Sequence, residues 1–151
     1  MRGIELKNQN KKQNSELYMI IGCGHLGASV ASMLSSRGME VVVIDVSKSA
    51  FSKLPPSYAG FTIEADACDT HVLENAEIQK AETVLVATGD DNVNIMVSQI
   101  AKVIYETPTV VIRLKDTEKE ALLTDSGIGV IYPLKLEIEA FRTIIGMMAK
   151  E

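Results

Sequence analysis

The chain has no tryptophan, two cysteines, three phenylalanines and four prolines among its 151 residues. Cys23 and Cys68 form no CxxC pair and have no histidine at metal-ligand spacing. That excludes a disulfide scaffold and a zinc knuckle, and it suits a reducing compartment. No apolar run approaches the ~20 residues of a membrane span, and no secretory pattern opens the sequence. Basic charge is short as well: 15 Lys and Arg against 20 Asp and Glu leave a net charge of −5, which argues against a nucleic-acid surface. These absences predict a soluble, cytoplasmic protein with no direct membrane insertion and no nucleic-acid partner. Catalytic signatures are missing too. There is no Ser-His-Asp set beside a nucleophile elbow, no HExxH and no GxxxxGK(S/T) loop.

What remains is an ordinary globular composition, 46% hydrophobic. A chain of this length is most simply one domain and hides roughly 70% of its unfolded surface. Residues 1–15 are rich in Lys, Asn and Gln, carry a basic cluster at 7–12 and have no periodicity. They read as a disordered leader. Residues 16–133 read as the folded domain and 134–151 as a C-terminal helix.

Short apolar runs alternate with amphipathic ones. Strands are expected at 16–21, 40–44, 59–64, 83–87, 109–114 and 129–132. Helices are expected at 25–37, 47–54, 69–76, 92–105, 117–126 and 134–150. Gly38 should cap the first helix, Ser47 should start the second and Pro133 the last. The strands are apolar along most of their length and β-branched, as in a sheet covered on both faces. The prediction is an α/β, Rossmann-type doubly wound sheet of six parallel strands with helices on both faces.

The most informative stretch is Gly22-x-Gly24-x-x-Gly27, set between the first strand and the first helix. It is a dinucleotide-binding fingerprint. The first glycine permits the turn, the second lets a phosphate approach the backbone, and the third lets helix and sheet pack closely. The helix N-terminus then offers N–H groups and positive potential to an anion. In such a sheet, ligands bind beyond the carboxyl ends of the strands, so the strand ends nominate the remaining candidates. Asp45 lies 18 residues beyond Gly27, close to the ~20 of a ribose-binding acid. It is either that acid or a helix cap, with Val46 and Ser47 beside it. A carboxylate there disfavours NADP, since it repels a 2′-phosphate and no arginine follows closely. Asp66, between Ala65 and Ala67, either accepts from an adenine amine, with the Ala67 N–H on a ring nitrogen, or caps the next helix. Thr88, Gly89 and Asp90 form a turn that can meet ribose or phosphate. Arg113 either reaches phosphate or pairs with Asp66 or Asp90. His25 either donates to phosphate or is simply exposed, and His71 reads as surface. Cys23 stands at a helix N-terminus, where a thiol pKa can fall, or is a small filler of the turn.

Five segments together resemble the RCK (KTN, TrkA-N) domain, the nucleotide-binding regulatory domain of bacterial potassium transport systems. They are Ile-Ile-Gly-Cys-Gly-His-Leu-Gly at 20–27, Val-Val-Val-Ile-Asp at 41–45, Ala-Asp-Ala at 65–67, Ala-Thr-Gly-Asp-Asp-Asn-Val-Asn at 87–94 and Val-Ile-Arg at 111–113. The resemblance implies a non-enzymatic cytoplasmic subunit, peripheral to the inner face of the membrane. It would bind AMP, ADP, ATP or NAD(H) through Gly22, Cys23, Gly24, His25, Leu26, Gly27, Asp45, Val46, Ser47, Ala65, Asp66, Ala67, Thr88, Gly89, Asp90 and Arg113, and gate a potassium-translocating membrane subunit. It also implies homodimers or rings, with the last helix as the family's crossover helix. Two features depart from the family pattern: His25 stands where an arginine is common, and the 151 residues include no counterpart of the smaller C-terminal ligand domain that many relatives carry. The alternatives are an NAD-dependent oxidoreductase, or a fragment of one, and a structural dimerisation module with a vestigial pocket.

Overall fold

The computed structural model describes residues 16–147; the expected leader at 1–15 and the last residues of the C-terminal helix lie outside them. Six parallel strands form one sheet: β1 (Leu17–Ile21), β2 (Glu40–Asp45), β3 (Phe61–Glu64), β4 (Ala81–Val86), β5 (Thr109–Arg113) and β6 (Gly129–Ile131). Their order is β3-β2-β1-β4-β5-β6, all pairings parallel. The strand order therefore reverses between β1 and β4, where a doubly wound sheet opens a crevice. Helices α1 (His25–Ser36), α2 (Thr70–Asn75), α3 (Asp91–Gln99) and α4 (Pro133–Ile144) complete the frame.

Alternation along the strands builds two cores. Met19, Ile21, Val42, Ile44, Val84 and Val86 point to one face, where Leu73 of α2 and Ile95 and Val97 of α3 cover them. Ile20, Val41, Val43 and Leu85 point to the other, against Ala28 and Ala31 of α1. Burial on both faces explains why these strands carry unbroken apolar sequence.

Three expected helices differ. Residues 48–53 and 117–123 are 3₁₀ turns, Lys48–Lys53 and Thr117–Leu123. The first buries no residue and the second only Leu123, so neither has an apolar stripe to stabilise a longer α-helix. The helix expected over 92–105 is α-helical to Gln99 and widens to a π-turn over Ile100–Ile104. That wider turn keeps Ala101 fully buried, and the Lys102 ammonium reaches the carbonyls of Thr107 (3.4 Å) and Pro108 (3.0 Å). Ser47 precedes its turn without a side-chain capping bond; its hydroxyl meets that of Ser49 at 2.8 Å. Gly38 follows the first helix at φ +75°, and Pro133 opens α4 at its first position, as expected.

α4 stands apart. Every residue from Leu134 to Ile144 is exposed, including Leu136 (61%), Phe141 (61%) and Ile144 (83%). The helix is amphipathic, yet its apolar stripe finds no cover on its own sheet.

Candidate functional site

The turns after β1, β2, β3 and β4 and the last residue of β5 meet over the crevice around a cavity of about 420 Å³, within the range of small-ligand sites. Backbone bonds hold the turns in place. Gly22 N–H donates to Ile44 O and Ala87 N–H to Ile21 O, each at 2.8 Å, and Ala65 N–H donates to Asp45 O at 3.0 Å.

The three glycines behave differently. Gly22 sits at φ +96°, and a Cβ there would come within 2.6 Å of Ala87 O. A Cβ on Gly27 would come within 1.9 Å of Gly22 O. Both positions are closed by backbone, and both are needed for the fold. Gly24 faces nothing within 4 Å and lines the cavity, so its bareness is not required by packing. It is also the N-cap of α1, which has no side-chain cap and no acidic residue in its first turn. Among the described residues the first N–H groups of α1 therefore have no side-chain acceptor, and they sit at the positive end of the helix.

Asp45 ties the glycine turn to the turn after β2. Its Oδ2 accepts from Cys23 N–H at 2.7 Å and its Oδ1 from Ser47 N–H at 2.8 Å. Each oxygen keeps acceptor capacity, and Asp45 lines the cavity. Asp66 lines it as well; its Oδ1 accepts from Cys68 N–H at 2.9 Å. Asp66 does not cap α2. Asp69 does, accepting from His71 N–H at 2.9 Å. Cys23 is fully buried among apolar neighbours. Burial, with the Asp45 carboxylate, pushes its thiol up against a smaller opposing effect of Lys53, so it is a filler of the turn rather than an activated thiol.

Arg113 pairs with neither Asp66 nor Asp90; among the described residues no carboxylate is within ion-pair distance of it. Its Nη2 instead donates to Thr88 O (3.0 Å) and Ala87 O (3.4 Å). The Nε–H is buried without a partner. Arg113 lines the cavity, and an unmet buried donor within its guanidinium is a feature that a native structure seldom leaves without a role.

Most of the sequence-derived candidates line this one cavity: Gly22, Cys23, Gly24 and His25, then Asp45 and Val46, then Ala65, Asp66 and Ala67, then Thr88, Gly89 and Arg113. Four do not. Leu26, in the first turn of α1, packs against the core, Gly27 backs onto Gly22, and Ser47 supports Asp45. Asp90 caps α3, accepting from Asn92 and Val93 N–H. Two polar side chains at or beneath the cavity are ones that the sequence did not nominate as site residues. Lys53 brings a cation to the wall eight residues beyond Asp45. Asn94 is wholly buried beneath the Thr88 turn.

The rim opposite the glycine turn is fastened by Asp91. Its carboxylate accepts from Lys115 N–H (3.0 Å) and Asp116 N–H (2.9 Å), while the Lys115 ammonium reaches Gly89 O at 3.1 Å. Burial raises the Asp91 pKa, but those two N–H groups and the charges of Lys119 and Lys115 outweigh it and hold the carboxyl below its ordinary value. A pKa lowered by folding adds stability that is complete above the unfolded value, about 4, and is lost as pH falls through the folded one. Asp91→Asn is therefore expected to flatten the acid limb of the stability curve below about pH 4. Denaturant titrations of both proteins across that window check it; parallel limbs would remove Asp91 from the account.

The fold and the crevice define a Rossmann-type α/β domain. The family model for the TrkA-N domain matches residues 18–133, and the chain belongs to that family. It is 34% identical over 107 residues to a Trk system potassium uptake protein TrkA homolog of Pyrococcus horikoshii, covering 71% of this chain and 47% of that protein. It is 31% identical over 107 residues to the Trk system potassium uptake protein TrkA of Mycobacterium tuberculosis, covering 71% and 48%. The chain thus spans about half the length of these curated relatives. Among solved structures, the NAD(P)-binding domain of an exopolyphosphatase-related protein from Archaeoglobus fulgidus superposes with a TM-score of 0.71 at 20% identity, covering 87% of this chain and 98% of that one. The GsuK channel bound to NAD superposes at 0.74 with 22% identity, covering 88% and 24%. At these identities the superpositions speak for the fold.

Proposed function

We propose that this cavity binds an adenine nucleotide (AMP, ADP or ATP) or NAD(H), and that the chain senses it for a potassium uptake system rather than catalysing a reaction. One observation carries the reading. The open backbone of Gly24, the uncapped N-terminus of α1 and the Arg113 guanidinium, which no carboxylate among the described residues pairs, border one cavity that also holds Asp45 and Asp66. The first three attract phosphate and the carboxylates accept from hydroxyls and amines. The α1 N-terminus, His25 and Arg113 would hold phosphates, Asp45 the ribose hydroxyls, and Asp66 with Ala67 the adenine edge. The relatives named for potassium uptake, the GsuK structures bound to NAD and to ADP and the Shewanella denitrificans Kef CTD in AMP-bound form support the same assignment.

In this reading the chain is cytoplasmic and acts on a potassium-translocating membrane subunit. Among the described residues no helix is long and apolar enough to cross a membrane. A nucleotide shifts such a system only by binding two of its states with different affinity.

Equilibrium dialysis against AMP, ADP, ATP, NAD, NADH and NADPH tests the reading. At least one is expected to bind in the micromolar range. NADPH should bind about tenfold or more weaker than NADH, because Asp45 repels a 2′-phosphate. NADH should remain reduced. Failure of all six to bind would leave a structural module.

The uncovered stripe of α4 is assigned to a second copy of the chain. Leu134, Ile138, Phe141 and Ile145 recur at helical spacing on its exposed surface. Phe141→Glu with Ile138→Glu is expected to convert a dimer to a monomer in sedimentation velocity, with nucleotide affinity per chain unchanged. A dimer surviving both charges would place the interface elsewhere.

A further inference from the structure

We propose that Asn94 is the positioning residue of the cavity. It locks the Thr88–Gly89 turn and the Arg113 guanidinium into one unit, and so governs affinity for the phosphate part of a ligand that it does not touch. The inference rests on the reading that the cavity takes a phosphate-bearing nucleotide.

Asn94 lies in the first turns of α3 and has no solvent exposure. Its neighbours Ile95 and Val97 are buried as well, so an apolar residue would serve packing at this position. A buried amide is tolerated only when its hydrogen bonds are made. Here all four are. Asn94 Oδ1 accepts from Thr88 N–H at 3.0 Å and from the Thr88 hydroxyl at 2.5 Å. Asn94 Nδ2 donates to Thr88 O at 3.1 Å and to Arg113 O at 2.9 Å. An amide offers two donors and two acceptor lone pairs, so nothing is left over. The assignment of oxygen and nitrogen is forced, because the reverse would set the NH₂ against the Thr88 N–H.

The partners give the arrangement its meaning. Three of the four bonds hold Thr88, a cavity residue; the fourth holds the backbone of Arg113, whose half-buried side chain also lines the cavity. Thr88 O accepts both from Asn94 Nδ2 and from Arg113 Nη2. One carbonyl thus joins the amide to the guanidinium, and Asn94 reaches Arg113 twice, directly at its carbonyl and through Thr88 at its side chain. This closed network fixes the plane of the guanidinium and leaves its Nε–H buried and open. A donor held in place before the ligand arrives binds without further ordering cost.

Titration with ADP and with adenosine separates positioning from general support. Asn94→Asp keeps the size and the acceptors but loses both donors. It is expected to weaken ADP by about tenfold or more, the scale of a bond to a charged group, while adenosine changes by less than about twofold. In an Arg113→Leu background the same substitution should cost no further ADP affinity, since its effect passes through Arg113. Equal losses for ADP and adenosine, or additive losses in the double variant, would overturn the inference. Thr88→Val keeps the two backbone bonds to Asn94 and removes those of the hydroxyl, to Asn94 Oδ1 and, at 3.3 Å, to the Asp90 backbone. It should show the same selectivity at a smaller size even if Asn94→Asp does not fold, and unselective loss there would overturn the inference too. A ligand-free readout keeps this claim separate from the nucleotide reading. The Arg113 Nε–H resonance is expected to be protected from solvent exchange in the wild type and unprotected in Asn94→Asp, or in Thr88→Val if the first variant does not fold. Equal protection overturns the positioning role. If wild type does not bind ADP while that contrast holds, the nucleotide reading falls and the positioning role stands.

Discussion

Gly27→Ala is expected to lower the thermal midpoint of unfolding by about 6–12 °C. The added Cβ would lie 1.9 Å from Gly22 O and 3.3 Å from an Ile20 methyl. The oxygen is backbone, in a turn pinned by the bond from Gly22 N–H to Ile44 O, so it cannot swing aside. Overpacking of a closed site costs about 3 kcal/mol or more, and each kcal/mol is worth roughly 2–4 °C in a domain of this size. Gly24→Ala is the control on the same loop. Its Cβ meets nothing within 4 Å, so its midpoint should stay within about 1 °C of wild type. Calorimetric scans of the two variants check the pair. A tolerated Gly27→Ala would mean that α1 does not approach the sheet as described.

Asp45→Ala should reduce nucleotide affinity by roughly 100-fold. Two hydrogen bonds from ribose hydroxyls to a carboxylate are worth about 3 kcal/mol together. The substitution also strips Cys23 N–H and Ser47 N–H of their acceptor, which loosens the glycine turn that the proposal sets against the phosphates. Asp45→Asn separates the two effects. One amide oxygen can still accept, so the loss is expected to be smaller, about tenfold. Isothermal titration of wild type and both variants with the best-bound nucleotide measures the series. Unchanged affinity in Asp45→Ala would move the ribose away from β2.

Much of this was legible in the sequence because apolar strands buried on both faces write themselves as unbroken runs. The glycine spacing and Asp45 then located the crevice, because strand ends converge in a parallel sheet. What escaped depended on contacts across the fold. Asn94 reads as one more polar residue on a helix until β4 and β5 are seen to end above it. Lys53 reaches the cavity from a 3₁₀ turn, whose short repeat leaves no hydrophobic period to place it. For Arg113 the sequence offers either a phosphate or an acid, Asp66 or Asp90, as its partner. Its observed partners are the carbonyls of Ala87 and Thr88, which composition cannot announce. The α4 stripe was visible as a pattern, but only the packing shows that its own sheet does not cover it.

The most direct measurement is a calorimetric titration of wild type and Gly24→Ala, side by side, with AMP, ADP, ATP, NAD and NADH. The account predicts saturable binding of at least one nucleotide by wild type. It predicts loss of that binding in Gly24→Ala with the unfolding midpoint unmoved, because the new methyl group occupies space that only a ligand uses. Equal binding by both proteins, or none by either, would contradict the claim that this open glycine turn is a phosphate site.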